Sequence, residues 1–344
     1  YQEAGSVEEA AAVYREAISL EPAHPVYNHS LGSALEELEQ HDEAIRYLRR
    51  AVELSPNRAE WHADLAEALS ALEDWKLALR EYERAIEMDE DEAAHHYGAG
   101  RALYQLGEHD AAAEELERAK ALAPSHAATH HQIGLIHESR EDWEGALEAY
   151  RLACALAPDR SSYYMDLGAA YGRLRKQDRA LKTLRKAAYI VESEAPRPKR
   201  LQVIYGEQGT VYEGLEAYDE ALQAYGRAVE LAPREPLILA GYGRALLAPD
   251  TPGNNARALE VLIRARARDP FDPRMLRDLG LAHARAGQPG MAATVTAERY
   301  AVLRRMEDAE ALANRAIALL PEGSPGWIRA QDVLRVAEAA QRRR

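Results

Sequence analysis

Small and apolar residues recur along this chain with a spacing of 34 positions. In residues 93–126, two stretches with the apolar periodicity of helices flank Gly107, and Pro124 follows the second stretch. The same arrangement returns one period further on, where Gly134 takes the place of Gly100. Self-similarity at this period is typical of a helical solenoid, in which each repeated unit is a pair of helices.

The full units are predicted to begin near residues 25, 59, 93, 127 and 161. On each first helix a large residue precedes a small one: Leu31-Gly32, Leu65-Ala66, Ala99-Gly100, Ile133-Gly134 and Leu167-Gly168. On each second helix two alanines stand seven residues apart, on one face: Ala44 and Ala51, Ala78 and Ala85, Ala112 and Ala119, Ala146 and Ala153, Ala180 and Ala187. Helices packed about 8–10 Å apart leave no room for a long side chain where they cross.

These Gly or Ala, Tyr or Leu, Ala and Pro positions resemble the tetratricopeptide repeat family, and the resemblance covers essentially the whole chain. It implies an all-α fold, a right-handed α-α superhelical solenoid of tetratricopeptide repeats with a C-terminal capping helix. About 19 helices are expected from the number of repeats. In this family the first helices line a concave groove, so their exposed residues are expected to face a partner.

The repeats are predicted to form two arrays. Residues 1–194 hold a half repeat and five units, residues 195–201 an irregular join, and residues 202–344 the second array. The prolines of the join are expected to delay the next helix until about Leu201. Glu90 and Glu192 stand where the family usually has Pro, so the second helices there are expected to continue.

Three departures from the regular repeat are predicted in the second array. A surface loop is inserted at residues 248–255, which contain Pro249, Pro252 and Gly253. Half a repeat is missing near residues 287–290, because the next unit begins after only half a period. Residues 325–341 form a helix that caps the open end of the stack, with Trp327, Ile328, Val333, Leu334 and Val336 as its apolar residues.

Charge is distributed unevenly around the net value of −14. Residues 1–150 carry 33 acidic and 12 basic side chains, whereas residues 151–200 carry 5 acidic and 12 basic ones. The acidic first half argues against nucleic acid as the main partner. No apolar run is long enough to span a membrane, so no direct membrane insertion is expected. Cys154, the single cysteine, is interpreted as an inert core thiol. A low cysteine count fits the cytoplasm and leaves a bacterial periplasm open.

The chain begins with Tyr1 inside a repeat, so its natural N-terminus is expected to be missing. Residues 236–333 also look like the C-terminal repeat region of BepA-type periplasmic metallopeptidases. That family's peptidase domain precedes the repeats and uses an HExxH zinc helix, which this chain lacks because His137-Glu138 has no second His four places on. This second resemblance implies an envelope setting and no catalysis by the chain itself.

Histidines offer the main candidate chemistry, since His62, His96 and His130 recur at the same place in successive units. Equivalent residues of successive units lie about 10 Å apart, too far to share one zinc ion whose ligands lie about 2 Å away. They are interpreted as aromatic filler between successive first helices, with a weak site around His131 as the alternative. The nucleophile elbow and the phosphate loop are both absent from the sequence. No catalytic residue, metal or cofactor is therefore predicted.

The predicted function is a non-catalytic scaffold that binds a partner protein or peptide. The alternative is a docking or regulatory region of a larger enzyme, such as an envelope metallopeptidase or a transferase, whose catalytic domain lies outside this chain. Candidate partner-binding residues are those expected on the exposed side of the first helices: His29, Ser33, Asp64, Glu67, Tyr97, Arg101, Tyr104, His131, Gln132, Asp166, Arg173, Glu207, Thr210 and Arg244. The carboxylate clamp of some family members is absent, because His29, Ser33 and Asp64 occupy the matching places.

A basic stripe is predicted on the convex face, formed by Arg175, Arg179, Lys182 and Lys186. Their successive spacings of four, three and four positions align them along one side of a helix. The simple interpretation is a solvated face. The alternative is an electrostatic contact with an acidic surface, either another protein or residues 1–150 of a second copy of the chain in a homo-oligomer.

Overall fold

The computed structural model describes residues 7–193 and 198–341, and these residues form 19 α-helices and no strand. The prediction of an all-α solenoid of helix pairs is therefore confirmed. The chain divides into two compact units, Tyr1–Asp159 and Arg160–Arg344. The predicted division at residues 195–201 lies partly outside the described residues and stays a prediction.

The first unit contains nine helices among its described residues. They are α1 (Val7–Leu20), α2 (Pro25–Glu37), α3 (His41–Leu54), α4 (Ala59–Ala71), α5 (Trp75–Met88), α6 (Ala93–Gln105), α7 (His109–Leu122), α8 (Ala127–Ser139) and α9 (Trp143–Leu156). The even-numbered helices are the first helices of the repeats, and each forms a hairpin with the helix that follows it.

The second unit contains ten helices among its described residues. They are α10 (Ser161–Arg173), α11 (Gln177–Ser193), α12 (Pro198–Gly214), α13 (Tyr218–Leu231), α14 (Pro236–Leu247), α15 (Pro252–Arg266), α16 (Pro273–Arg285), α17 (Pro289–Val302), α18 (Met306–Leu319) and α19 (Pro325–Gln341). Helix α17 packs against α16, α18 and α19, so it contacts the helix before it and both helices after it.

Several predicted boundaries are wrong. Helix α5 ends at Met88 and does not run on through Glu90, whereas α11 extends to Ser193. Helix α12 begins at Pro198, three residues before the predicted start. The loop expected over residues 248–255 spans only residues 248–251, because Pro252 is the first residue of α15 and the Thr251 side chain accepts a hydrogen bond from the Asn254 amide.

At most crossings, a glycine in the first helix meets a large side chain of the second helix. A Cβ atom added at Gly134 would lie 2.4 Å from Cε1 of Tyr150, and one added at Gly100 would lie 2.7 Å from Cγ of Leu116. Tyr150 and Leu116 are both fully buried. The alanine pairs of the second helices are fully buried too, which explains why small residues recur in every repeat.

The turns inside the hairpins of the first unit place one residue in the left-handed region. Gly107 has a φ of 82°, and Glu39, Glu73 and Glu141 occupy the equivalent place with φ values of 57°, 60° and 58°. Left-handed backbone costs a residue with a side chain about 1–2 kcal/mol, so three of these turns are held in place by the packing of the helices they join.

The first helices lie on the inner side of the stack within each unit. Successive first helices contact one another, as α4 does with α2 and α6 in the first unit and α14 does with α12 and α16 in the second. Successive second helices make fewer contacts with each other. The repeats therefore curve toward the side of their first helices, which is the side where the sequence predicts partner binding.

The C-terminal helix α19 packs against α17 and α18 through Ala330, Val333 and Ala337. Two of its apolar residues, Ile328 and Val336, lie outside the packed face, with exposed fractions of 48% and 54%. The three buried residues are spaced three and four positions apart, which places them on one face of the helix. Ile328 and Val336 lie outside this series and point to solvent.

Candidate functional site

The first-helix face of the first unit begins with a contact between two repeats. The His29 Nε2 atom lies 2.7 Å from Oδ2 of Asp64, joining α2 to α4. The His29 ring also stacks on Trp61, with ring centroids 4.8 Å apart and planes inclined by 14°. The Asp64 side chain nevertheless stays 49% exposed, so its second oxygen is available to a partner.

A second contact joins α4 to α6 on the same face. The Arg101 Nη1 atom lies 3.8 Å from Oε1 of Glu67, whose side chain is 68% exposed. The Tyr82 hydroxyl donates to the other carboxylate oxygen of Glu67 at 3.3 Å. Burial, and then the charge of Glu67, raises the pKa of Tyr82, so the phenol stays protonated as this donation requires.

Aromatic rings surround the Arg101 guanidinium. Its Cζ atom lies 5.9 Å from the ring centroids of both Tyr97 and Trp75, within the distance of a cation–π contact. Burial raises the pKa of Tyr97, which keeps that ring neutral. The Tyr97 ring also meets His126 edge-on at 5.0 Å.

The remaining candidates of the first unit differ in exposure. The Ser33 hydroxyl donates to the backbone carbonyl of His29 at 3.2 Å, so it is half-buried and partly engaged. Tyr104 and His131 are half-buried. The prediction that Gln132 faces a partner is wrong, because only 6% of this residue is exposed.

The first-helix face of the second unit has a hydrogen-bonded centre that joins α12 to α14. Arg244 donates to both carboxylate oxygens of Glu213, through Nε at 3.1 Å and Nη2 at 2.8 Å. The Tyr225 hydroxyl donates to Glu213 at 2.9 Å and lies 3.1 Å from the Thr210 hydroxyl. Burial opposes the charged form of Arg244, but the hydrogen bonds and charge of Glu213 raise its pKa overall.

Sequence reasoning did not find Glu213, although Glu36 and Glu138 occupy the same place in their repeats. The recurrence of glutamate at this place is the feature of the sequence from which Glu213 could have been predicted. Of the other predicted residues in this unit, Asp166 and Glu207 are half-buried on their first helices, and Arg173 is exposed at the end of α10.

The predicted basic stripe is shorter than expected. Arg179, Lys182 and Lys186 are exposed on α11, a second helix. Arg175 does not share that face, because it lies in the turn before the helix with a φ of 55°. Arg185 is exposed on the same helix and donates through Nη2 to the Tyr212 hydroxyl at 2.9 Å.

The recurring histidines are hydrogen-bonded core residues rather than aromatic filler. His62 is fully buried, with Nε2 3.0 Å from the Pro56 carbonyl and Nδ1 2.6 Å from Glu81. His96 makes the same two contacts, with the carbonyl of Glu90 and with Glu115. His130 and Asn28 repeat the contact to the carbonyl six residues before them, with Pro124 and Pro22 respectively.

Together with Asn28, these histidines tie the first helices α2, α4, α6 and α8 to the turns that precede them. Within residues 7–193 and 198–341, no group of three His, Cys, Asp or Glu residues is arranged to hold a metal ion. Over the same ranges, no helix is long and apolar enough to cross a membrane.

Tetratricopeptide repeat profiles match several segments of the sequence. One matches residues 63–127 and 253–301, a second matches residues 22–91, and a third matches residues 1–24 and 203–235. Together these segments span more than half of the chain, which belongs to the tetratricopeptide repeat family. Proteins built from these repeats generally mediate protein–protein interactions and the assembly of complexes. The resemblance of residues 236–333 to BepA-type peptidases stays a prediction.

Two solved structures show the same fold. A chain of the APC/C hetero-tetramer Cut9-Hcn1 is 17% identical with a TM-score of 0.62, over 80% of this chain and 52% of that one. This chain thus spans about half the length of its counterpart. PilF of Pseudomonas aeruginosa is 20% identical with a TM-score of 0.52, over 68% of this chain and 96% of that one. The search of curated protein sequences finds no significant match.

Proposed function

We propose that this chain is a non-catalytic scaffold whose first-helix faces bind segments of partner proteins and so help to assemble a multiprotein complex. The observation that carries the proposal is the set of contacts between successive first helices in the first unit. They fix the side chains of Asp64, Glu67 and Arg101 before any partner arrives, and they leave both carboxylates about half exposed or more. A surface that is already ordered loses less conformational entropy on binding.

The charge of the first unit indicates the kind of segment that binds there. Residues 1–150 carry 33 acidic and 12 basic side chains, and exposed Glu60 and Asp64 lie one helical turn apart on α4. A basic, extended or helical peptide with an aromatic or apolar anchor complements such a surface. Its attraction acts over about 8 Å at physiological salt, so binding should weaken as salt increases.

A pair of charge-reversal variants tests the proposal. Glu60→Lys with Asp64→Lys reverses two charges on the first-helix face of α4. Glu83→Lys with Glu87→Lys makes the same change in charge, at the same spacing, at exposed places on the second helix α5. Tagged protein is used to capture partners, which are quantified by mass spectrometry after crosslinking. The first variant should lose the partners that the second retains, whereas equal capture by both variants would show that this face is not the binding surface.

A further inference from the structure

A pocket of about 330 Å³ lies on the second-helix side of the second unit. Helices α11 and α13 form its walls, and residues Tyr205, Gln208 and Tyr212 of α12 line its base. Its volume falls within the range of about 300–1,000 Å³ that is typical of small-ligand sites. The pocket is separate from the first-helix faces, so its role is independent of the function proposed for them.

Gln208 is the residue that sets this pocket apart from the rest of the chain. Gln208 directly precedes Gly209, the glycine of α12 that lies at the helix crossing. At the equivalent place, seven other repeats have a buried apolar residue: Leu31, Leu65, Ala99, Ile133, Leu167, Tyr242 and Leu279. Only 8% of Gln208 is exposed, and its amide makes no hydrogen bond with the residues that the structure describes. Its amide lies in the lining of the pocket and is not among the fully buried side-chain atoms that lack a partner, so it can offer a donor and an acceptor to a ligand.

Charged groups stand on both walls of the pocket. Helix α11 contributes Arg185 and Glu192, and helix α13 contributes Arg227 and Glu220. Glu192 accepts a hydrogen bond from the Tyr205 hydroxyl at 2.6 Å, and the guanidinium of Arg227 lies 5.5 Å from the centroid of the same ring. Arg185 donates one of its N–H groups to Tyr212 and keeps others for a ligand.

The chemistry of these groups selects a ligand that has both signs of charge and an amide. A carboxylate can accept from Arg185 or Arg227, and an ammonium group can donate to Glu220. A ligand with one sign of charge would bring that charge beside a like charge of the pocket, which is unfavourable. A peptide group presents one N–H and one carbonyl, which match the acceptor and donors of the Gln208 amide.

We propose that this pocket binds a short zwitterionic peptide unit, in which one amide pairs with Gln208 and the flanking charges pair with the arginines and Glu220. The unit is either a free dipeptide or part of a protein segment in which a lysine and a glutamate flank an amide. Both share the recognised chemistry, and two probes distinguish them. Glycylglycine represents the free dipeptide, and acetyl-Lys-Ala-Glu-amide represents the protein segment.

The test measures the binding of each probe by titration calorimetry and by the NMR signal of the Gln208 side-chain amide. A third compound, 5-aminopentanoate, has the length and the two charges of glycylglycine but lacks the amide. We expect at least one peptide probe to bind and 5-aminopentanoate to bind roughly tenfold more weakly or not at all, because it leaves the Gln208 amide unpaired. Absence of binding by both peptides, or equal binding of 5-aminopentanoate, would overturn the proposal.

The variant Gln208→Leu separates binding from a structural role. It restores the apolar side chain found in the other repeats, so the melting temperature should rise while peptide binding is lost. Gln132→Leu is the matched control, because Gln132 is also a buried glutamine with an unpartnered Nε2 atom, but it lies in the first unit, away from the pocket. That control should bind as the unmodified chain does. A fall in the melting temperature of Gln208→Leu with binding unchanged would assign Gln208 a structural role and refute the proposal.

Discussion

The steric role of glycine at the helix crossings can be tested by a change that helix propensity alone would favour. Replacing Gly134 in the middle of α8 by alanine should stabilise an isolated helix by about 1 kcal/mol. In this structure the added Cβ would lie 2.4 Å from Cε1 and 2.5 Å from Cδ1 of Tyr150. Real carbon atoms do not approach so closely, so the ring or the helices must move.

The Tyr150 ring has little freedom to move. It is fully buried, and its hydroxyl donates to Glu138 at 2.7 Å. Forcing extra volume into a packed core typically costs about 1–3 kcal/mol. After the gain in helix propensity is subtracted, Gly134→Ala should reduce the free energy of unfolding by up to about 2 kcal/mol.

Gly226 provides the matched control. It lies in the middle of α13, and no heavy atom lies within 4 Å of the Cβ that alanine would add. Gly226→Ala should therefore raise the free energy of unfolding by about 0.5–1 kcal/mol through helix propensity alone. The two identical substitutions are expected to change stability in opposite directions.

Urea denaturation followed by circular dichroism measures both changes, with slopes that should stay close to that of the unmodified chain. Because repeat arrays open in segments, hydrogen exchange of the amides in α8 and α13 gives the local effect at each site. Equal stabilisation by the two substitutions would show that Gly134 is not confined by Tyr150, and that the crossing has been assigned to the wrong residue.

Three further changes follow from the packing. His62→Ala leaves the Pro56 carbonyl and Glu81 without their partner, and urea denaturation should show a loss of about 2–3 kcal/mol; an unchanged midpoint would refute the bridging role. Burial lowers the pKa of His283 below its ordinary value of 6.5, so protonation of this residue opposes folding. The free energy of unfolding should therefore decrease as the pH falls below 6.5, and His283→Gln should remove this part of the pH dependence in thermal melts. Deleting residues 325–344 should expose the apolar surfaces of α17 and α18 and cause aggregation visible by light scattering, whereas a soluble, equally stable truncation would contradict the capping role.

Close packing explains why the fold could be predicted from the sequence. Gly134 and Tyr150 meet at a crossing that each repeat builds in the same way, so the steric restriction returns once in every period and can be recognised without coordinates. The predicted partner-binding residues were less secure. Gln132 is buried, because the orientation of a side chain depends on the rotation of its helix against two neighbours. In the basic stripe, Arg175 lies in a turn because α11 begins only at Gln177. Residue types and their spacing do not determine the rotation of a helix about its axis to within one residue position.

Two helix boundaries, the start of α15 and the end of α5, were predicted wrongly although local features of the sequence and structure explain them. Pro252 and Gly253 suggest a loop, but Thr251 before Pro252 is also the sequence of a helix start, with a capping hydroxyl and a proline in the first turn. Glu90 stands where a proline is expected, yet α5 still ends at Met88. The His96 Nε2 atom lies 2.9 Å from the Glu90 carbonyl and holds the turn that proline would otherwise favour.

Recurrence separates the structural polar residues of this chain from the candidate functional one. Asn28, His62, His96 and His130 are all buried, and each is bonded to the carbonyl six residues before it. A polar residue that returns at one place in four successive units is explained by a bond that each of those units makes. Gln208 is also buried, but it replaces an apolar residue in one unit alone and makes no such bond. The repeat has a buried apolar residue at seven equivalent places, so the fold does not require a glutamine at position 208, and the pocket that Gln208 lines is where a ligand should be sought.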